Sequence, residues 1–188
     1  GLPPTNTSLF DFARGAGIYL QGSVPSFEYP RTDMPAQLRF VGASIPQPPA
    51  DWKPPVWWSE TQGRRVILVT QGTINNDFDQ LIRPAIRALA GDDALVIVTT
   101  GSRPPEDVAI DPLPSNVRVE RLVPYAHLMP HVNLLVTNGG YGSIQIALAH
   151  GVPVVAMGKT EEKPDIANRV QWSGVGVGVK VHIPSETQ

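Results

Sequence analysis

The residues best placed to do chemistry are Asn138, Gly139, Gly140, Tyr141, Gly142 and Ser143. Glycines let a backbone approach a guest closely and adopt positive φ. Ser143 is a suitable helix N-cap, and Ile144–His150 reads as a helix. A helix N-terminus carries unpaired N–H groups and about half a positive charge. Its natural guest is an anion, most often a phosphate. The alternative is that the glycines make a tight turn and nothing more.

Positioning such a loop takes a strand before it and a strand after it. Val132–Thr137 is an apolar run without polar alternation, which suits a strand buried on both faces of a parallel sheet. Gly151 stops the helix, Pro153 prevents its return, and Val152–Met157 is a second buried run. Upstream, Arg65–Thr70, Ala94–Thr99 and Val117–Val119 read as further strands. Between the first two, Phe78, Leu81, Ile82, Ala85, Ile86 and Leu89 recur at helical spacing. Asn76 or Asp77 caps that helix, Gly91 ends it, and Pro84 should kink it near Gln80. Pro124–Met129 reads as a helical turn closed by Pro130, Pro164–Trp172 as a helix stopped by Gly174, and Val175–Val181 as a last strand. Strands alternating with helices predict an α/β fold, a Rossmann-like parallel sheet flanked by helices. Ligands of such sheets sit at the carboxyl ends of the strands. Those ends are Gly72-Thr73, Gly101, Leu122–Tyr125, Asn138–Ser143 and Gly158–Lys163.

Composition narrows the function. A net charge of −2 without a basic cluster gives nucleic acid no electrostatic footprint. Without cysteine there is neither a disulfide framework nor thiolate chemistry. No apolar run approaches the ~18 residues of a membrane span, and the N-terminus does not resemble a signal peptide. A soluble cytoplasmic protein is the expectation. The four histidines, His127, His131, His150 and His182, show neither ligand spacing nor a partnered carboxylate. Asp92-Asp93, Glu106-Asp107 and Asp111 read as solvated turns, and no carboxylate cluster suggests a metal.

Proline divides the chain of 188 residues. Ten of the 20 prolines fall between Pro3 and Pro55. Residues 1–63 carry a short candidate helix at Ser8–Arg14, short strands at Ile18–Gln21 and Leu38–Val41, and the extended, Pro-rich linker Ile45–Pro55. Trp52, Trp57 and Trp58 are expected to pack that linker onto a domain. Residues 64–188 hold the alternating pattern.

Two phosphate motifs fail on spacing. A dinucleotide fingerprint begins at Gly140 and Gly142, with Glu161 and Glu162 at a fitting distance downstream, but Gln145 replaces its third glycine. It also normally follows the first strand, and three strands come earlier here. A P-loop ending at Gly158-Lys159-Thr160 would need its first glycine at Pro153.

Several stretches together resemble the donor-binding, C-terminal half of GT-B glycosyltransferases, the UDP-glycosyltransferase-like enzymes that decorate macrolides, flavonoids and sterols. Val69–Thr73 (VTQGT) is similar to a strand-exit Gly-Thr motif, and Leu122–Pro130 (LVPYAHLMP) to a base-binding loop. Val136–Ser143 (VTNGGYGS) resembles Val-Thr-His-Gly-Gly-x-Gly-Ser, and Ala147–Pro153 continues it. VPSFEYPR followed by LRFVG resembles the end of the family's acceptor domain.

The resemblance implies roles. Gly72, Thr73, Asn138, Gly140, Gly142 and Ser143 would meet a diphosphate. Leu122, Val123 and Tyr125 would meet the nucleobase and ribose, and Glu162 with Lys163 the donor sugar. Asn138 replaces a family histidine, Ile146 a ribose-binding glutamate, Tyr125 a glutamine, and Glu162-Lys163 an Asp-Gln pair. The implied activity is metal-independent, inverting transfer of a sugar from a nucleoside diphosphate sugar, UDP- or TDP-linked, to a hydroxyl of a small-molecule acceptor. No further cofactor is implied. The catalytic base is expected on an N-terminal acceptor domain outside these residues, and the donor domain is expected to stop before its last helices. Ile183–Gln188 reads as the start of one, and a homodimer of the chain could cover the surface left bare. Two other readings stay open: a non-catalytic nucleotide- or partner-binding module on a degenerate copy of the fold, and a sugar-nucleotide epimerase.

Overall fold

The structure is a computed structural model that describes residues 15–73 and 77–179. The expected helix at Ser8–Arg14, the cap at Asn76, and the ends at Lys180-Val181 and Ile183–Gln188 lie outside those residues.

Six parallel strands form the central sheet: β3 (Val66–Thr70), β4 (Leu95–Thr99), β5 (Val117–Glu120), β6 (Leu134–Thr137), β7 (Val154–Met157) and β8 (Gly176–Val179). Their order is β5-β4-β3-β6-β7-β8. Each expected strand is present within two residues at each described end. β3, β4, β6 and β7 are runs apolar toward both faces, whereas the edge strand β5 carries Arg118 and Glu120. On β3, Val66 and Leu68 join one core and Val69 the other; on β4, Leu95 and Ile97 oppose Val96 and Val98 in the same way. Helices α2 (Tyr125–Leu128), α3 (Tyr141–Ala149) and α4 (Lys163–Trp172) supply Leu128, Ile144 and Ile166 to the first core. Helix α1 (Ile82–Ala88) supplies Ile82 and Ile86 to the second.

The apolar spacing from Phe78 to Leu89 does not make one helix. A 3₁₀ turn at Phe78–Gln80, capped by the Asp77 carboxylate, is separated from α1 by Leu81 at φ −148, ψ −54. Pro84 has no N–H to donate to the Gln80 carbonyl, so the break falls where the proline requires it. Helix α3 also departs from expectation. Its N-cap is Gly140, not Ser143, so the helix starts inside the glycine loop. Ser143 sits in the first turn and its hydroxyl donates to the Gly140 carbonyl at 2.8 Å. The far end of α3 closes as a Schellman motif, with Val152 N–H to Ala147 O at 2.9 Å and Gly151 N–H to Leu148 O at 3.0 Å.

The first segment adds a small parallel pair, β1 (Tyr19–Gln21) with β2 (Leu38–Phe40). Phe27 reaches from it into the first core and is fully buried. Residues 41–55 form neither helix nor strand, and a 3₁₀ segment follows at Val56–Thr61. The tryptophans pack as expected. Trp52 stacks on His127 at 4.6 Å, and Trp58 meets His131 edge-on at 5.5 Å. Trp57 donates to Glu120 at 2.8 Å, and Glu60 pairs with Arg118 at 2.7 Å.

Candidate functional site

Strand order reverses at β3, whose neighbours β4 and β6 lead to opposite edges of the sheet. A crevice at the carboxyl ends of strands is expected at such a switch point. A cleft of about 360 Å³ lies there. Its walls come from four loops that are far apart in sequence.

The loop after β3 brings Gly72 and Thr73, and the loop after β4 brings Gly101. These loops touch. A Cβ built on Gly101 would overlap the Gly72 carbonyl, and φ +69 disfavours any side chain there as well. Ser102 locks the contact by donating its hydroxyl to the Thr73 carbonyl at 2.8 Å. The loop after β5 brings Leu122, Val123 and Tyr125. Leu122 is 66% exposed, an apolar surface at the rim, whereas Val123 is buried beneath it. The loop after β6 brings Gly140, Gly142 and Ser143. Helix geometry leaves the N–H groups of Tyr141, Gly142 and Ser143 without intrahelical acceptors. A row of such donors, with the positive end of a helix dipole, suits a phosphate.

The floor is polar. Thr99 and Thr70, side by side in register on β4 and β3, line it and are buried; Thr137 continues the buried row on β6 without lining the cleft. Thr99 donates to Thr70 at 2.9 Å, and the Tyr125 hydroxyl reaches Thr70 at 3.4 Å. Burial raises the Tyr125 pKa above the ordinary tyrosine value, against the lowering effect of the two threonines.

Eight of the eleven sequence-predicted residues line this cleft: Gly72, Thr73, Leu122, Val123, Tyr125, Gly140, Gly142 and Ser143. Three do not. The buried Asn138 spends its side-chain amide on the Gln71 carbonyl at 2.7 Å, tying the β6 loop to the β3 loop. Lys163 is buried with its amine on the Glu161 carboxylate at 2.6 Å. Its stem lies against Gly139, whose φ of +97 turns the loop around it. Glu162 is exposed at the start of α4 and makes no capping bond. Ile146 is buried in the first core.

Sequence reasoning missed Thr70 and Thr99 as lining, because each looked like the last residue of an apolar strand. It also missed Pro46, which the extended segment brings to the cleft. Only the placement of that segment against the sheet reveals it.

Residues 84–187 match the family model described as "Erythromycin biosynthesis protein CIII-like, C-terminal domain". The chain belongs to this family. The 4'-demethylrebeccamycin synthase of Lentzea aerocolonigenes is 52% identical to this CIII-like chain over 188 residues, covering 99% of it and 44% of the relative. UDP-glucosyltransferase 1 of Beauveria bassiana is 37% identical over 183 residues, covering 94% and 39%. Among solved structures, the glycotransferase of kitacinnamycin superposes with a TM-score of 0.73 at 24% identity, over 94% of this chain and 46% of that one. The fold of the CIII-like chain is therefore that of GT-B glycosyltransferases. The chain spans about two fifths of the length of the curated relatives it matches.

Proposed function

We propose that this chain is the donor-binding part of a glycosyltransferase. It holds a nucleoside diphosphate sugar, UDP- or TDP-linked, while the sugar passes to a hydroxyl of a small-molecule acceptor with inversion. The observation that carries the reading is the cleft itself. One cavity joins an apolar rim at Leu122 and Val123 to the N-terminal donors of α3 at Gly140, Gly142 and Ser143. A base needs the first, a diphosphate the second.

In the step, the bond from the anomeric carbon to the phosphate oxygen breaks and a bond to the acceptor oxygen forms. The acceptor proton goes to a base, which we place outside this chain. The nucleoside diphosphate departs carrying the new negative charge. Donors fixed at the start of α3 meet that charge without reorganising, which is where such groups contribute most. Among the described residues no group of three or more histidines and carboxylates could hold a metal. In this reading the helix end neutralises the charge. Among the described residues too, no helix is long and apolar enough to cross a membrane. We assign residues 1–63 to the end of an acceptor domain and its tether, and 64–188 to the donor domain. The names of the rebeccamycin and UDP-glucosyltransferase relatives support this class of reaction.

Calorimetry with UDP and TDP tests the site. The chain binds at least one of them, and Gly140→Val, with its branched side chain at the phosphate approach, loses most of that affinity while still folding. Unchanged affinity in a folded Gly140→Val protein would overturn the assignment.

A further inference from the structure

Tyr141 lies between two cleft residues, Gly140 and Gly142, yet is not part of the cleft wall. Its side chain is held by the first segment, more than a hundred residues away. The hydroxyl donates to Glu28 at 2.5 Å and accepts from the Gln21 amide at 2.9 Å, and the ring meets Phe27 at 6.2 Å. The other Glu28 oxygen faces Arg169 on α4 at 3.2 Å. Arg169 is fixed in turn by Asp165 at 2.6 Å and lies over the Tyr29 ring at 5.1 Å. Glu28 and Arg169 are 16% and 22% exposed at the side chain, so water screens this pair little.

We propose that Glu28 is a positioning residue for the donor site. Its carboxylate joins the first turn of α3 to the last turn of α4 and, through the rigid length of α4, sets the spacing of the two loops that open those helices. This rests on the donor-binding reading above. Helix α3 begins inside the glycine loop of that site, and α4 begins beside the loop at Lys163, whose stem packs on Gly139. A shift of either helix start moves the phosphate donors of Gly142 and Ser143 against the loop after β7. The Tyr141 end of the bridge is a charge-assisted hydrogen bond, the stronger class. The Arg169 end is an ion pair without hydrogen-bond geometry, and each end is aimed by a second partner. Tyr141 keeps its proton for this bond, because burial and the Glu28 carboxylate both raise its pKa. Glu28 never touches the donor; it acts through Tyr141.

The test is calorimetric titration of the 188-residue chain with UDP and with TDP, beside its melting temperature. Glu28→Gln keeps the size and removes the charge, and Tyr141→Phe removes one hydroxyl. Each lowers nucleotide affinity roughly fivefold, the net worth of about one hydrogen bond. The double variant is no weaker than the poorer single one, because both cut the same link. If melting falls while affinity stays, Glu28 is structural only and the inference is overturned; additive losses overturn the link equally. Should Glu28→Gln fail to melt cooperatively, the milder Tyr141→Phe decides alone. If Gly140→Val abolishes binding while both variants bind like the parent, the donor-site reading stands and this inference falls. If the parent binds neither nucleotide, both fall.

Discussion

Tyr125 illustrates how one residue serves two purposes in the cleft. Its ring forms part of the wall and its hydroxyl closes the floor over Thr70 and Thr99. Because burial raises its pKa, folding favours the protonated phenol. That contribution is fully present below the ordinary tyrosine value of about 10 and is lost as pH rises from there through the folded value. Stability therefore declines in alkali, and Tyr141, raised as well, adds to the decline. Tyr125→Phe should cost about 1 kcal/mol or less at neutral pH, since the bond it removes is long. It should also make the decline above about pH 10 shallower. Urea titrations of both proteins from about pH 7 to about 11 check this; parallel curves would show that the phenol does not ionise on unfolding.

At the scale of elements, the 3₁₀ segment Val56–Thr61 and the extended residues before it behave as a strap. Three tryptophans, Glu60 and Pro46 fasten it across α2, β5 and the cleft. Trp58→Ala removes a half-buried ring and should cost roughly 2–3 kcal/mol, below the range for full core positions. With Pro46 loosened, UDP affinity should fall too. Scanning calorimetry and titration measure both, and an unchanged melting temperature would mean that the strap is not fastened there. Elements differ in how far they could be read from sequence. The strands were legible because runs such as Val132–Thr137 have no polar face to turn outward. The start of α3 was not, since the serine that suits an N-cap bonds backward to Gly140 instead. The glycine loop, Gly72-Thr73 and the Leu122–Tyr125 loop were legible because each directly follows a strand. Lys163 and Asn138 stand off the cleft wall because their partners, Glu161 and the Gln71 carbonyl, take their polar ends by proximity that spacing does not encode. Pro46 and Glu28 were silent for the same reason at longer range.

For the whole molecule, the sheet order carries a consequence in time. β3 pairs with β4, in register 29 residues apart, and with β6, 67 residues apart. Closing the longer loop costs more chain entropy, so local pairs lead and distant ones follow. The β5-β4-β3 half can zip as its residues emerge, while β6-β7-β8 waits. The first segment is the extreme case. Residues 21 and 28 leave the ribosome before their partners, Tyr141, 120 and 113 positions later, and Arg169 beyond it. This segment is therefore fastened after the sheet it packs on. β1 and β2 pair only 19 residues apart, but a two-stranded pair is marginal by itself and needs the late contacts of its segment to hold. Pulse-labelled hydrogen exchange during refolding should therefore show the amides of β3 and β4 protected well before those of β1 and β2. Simultaneous protection would show that the early residues guide assembly instead of sealing it.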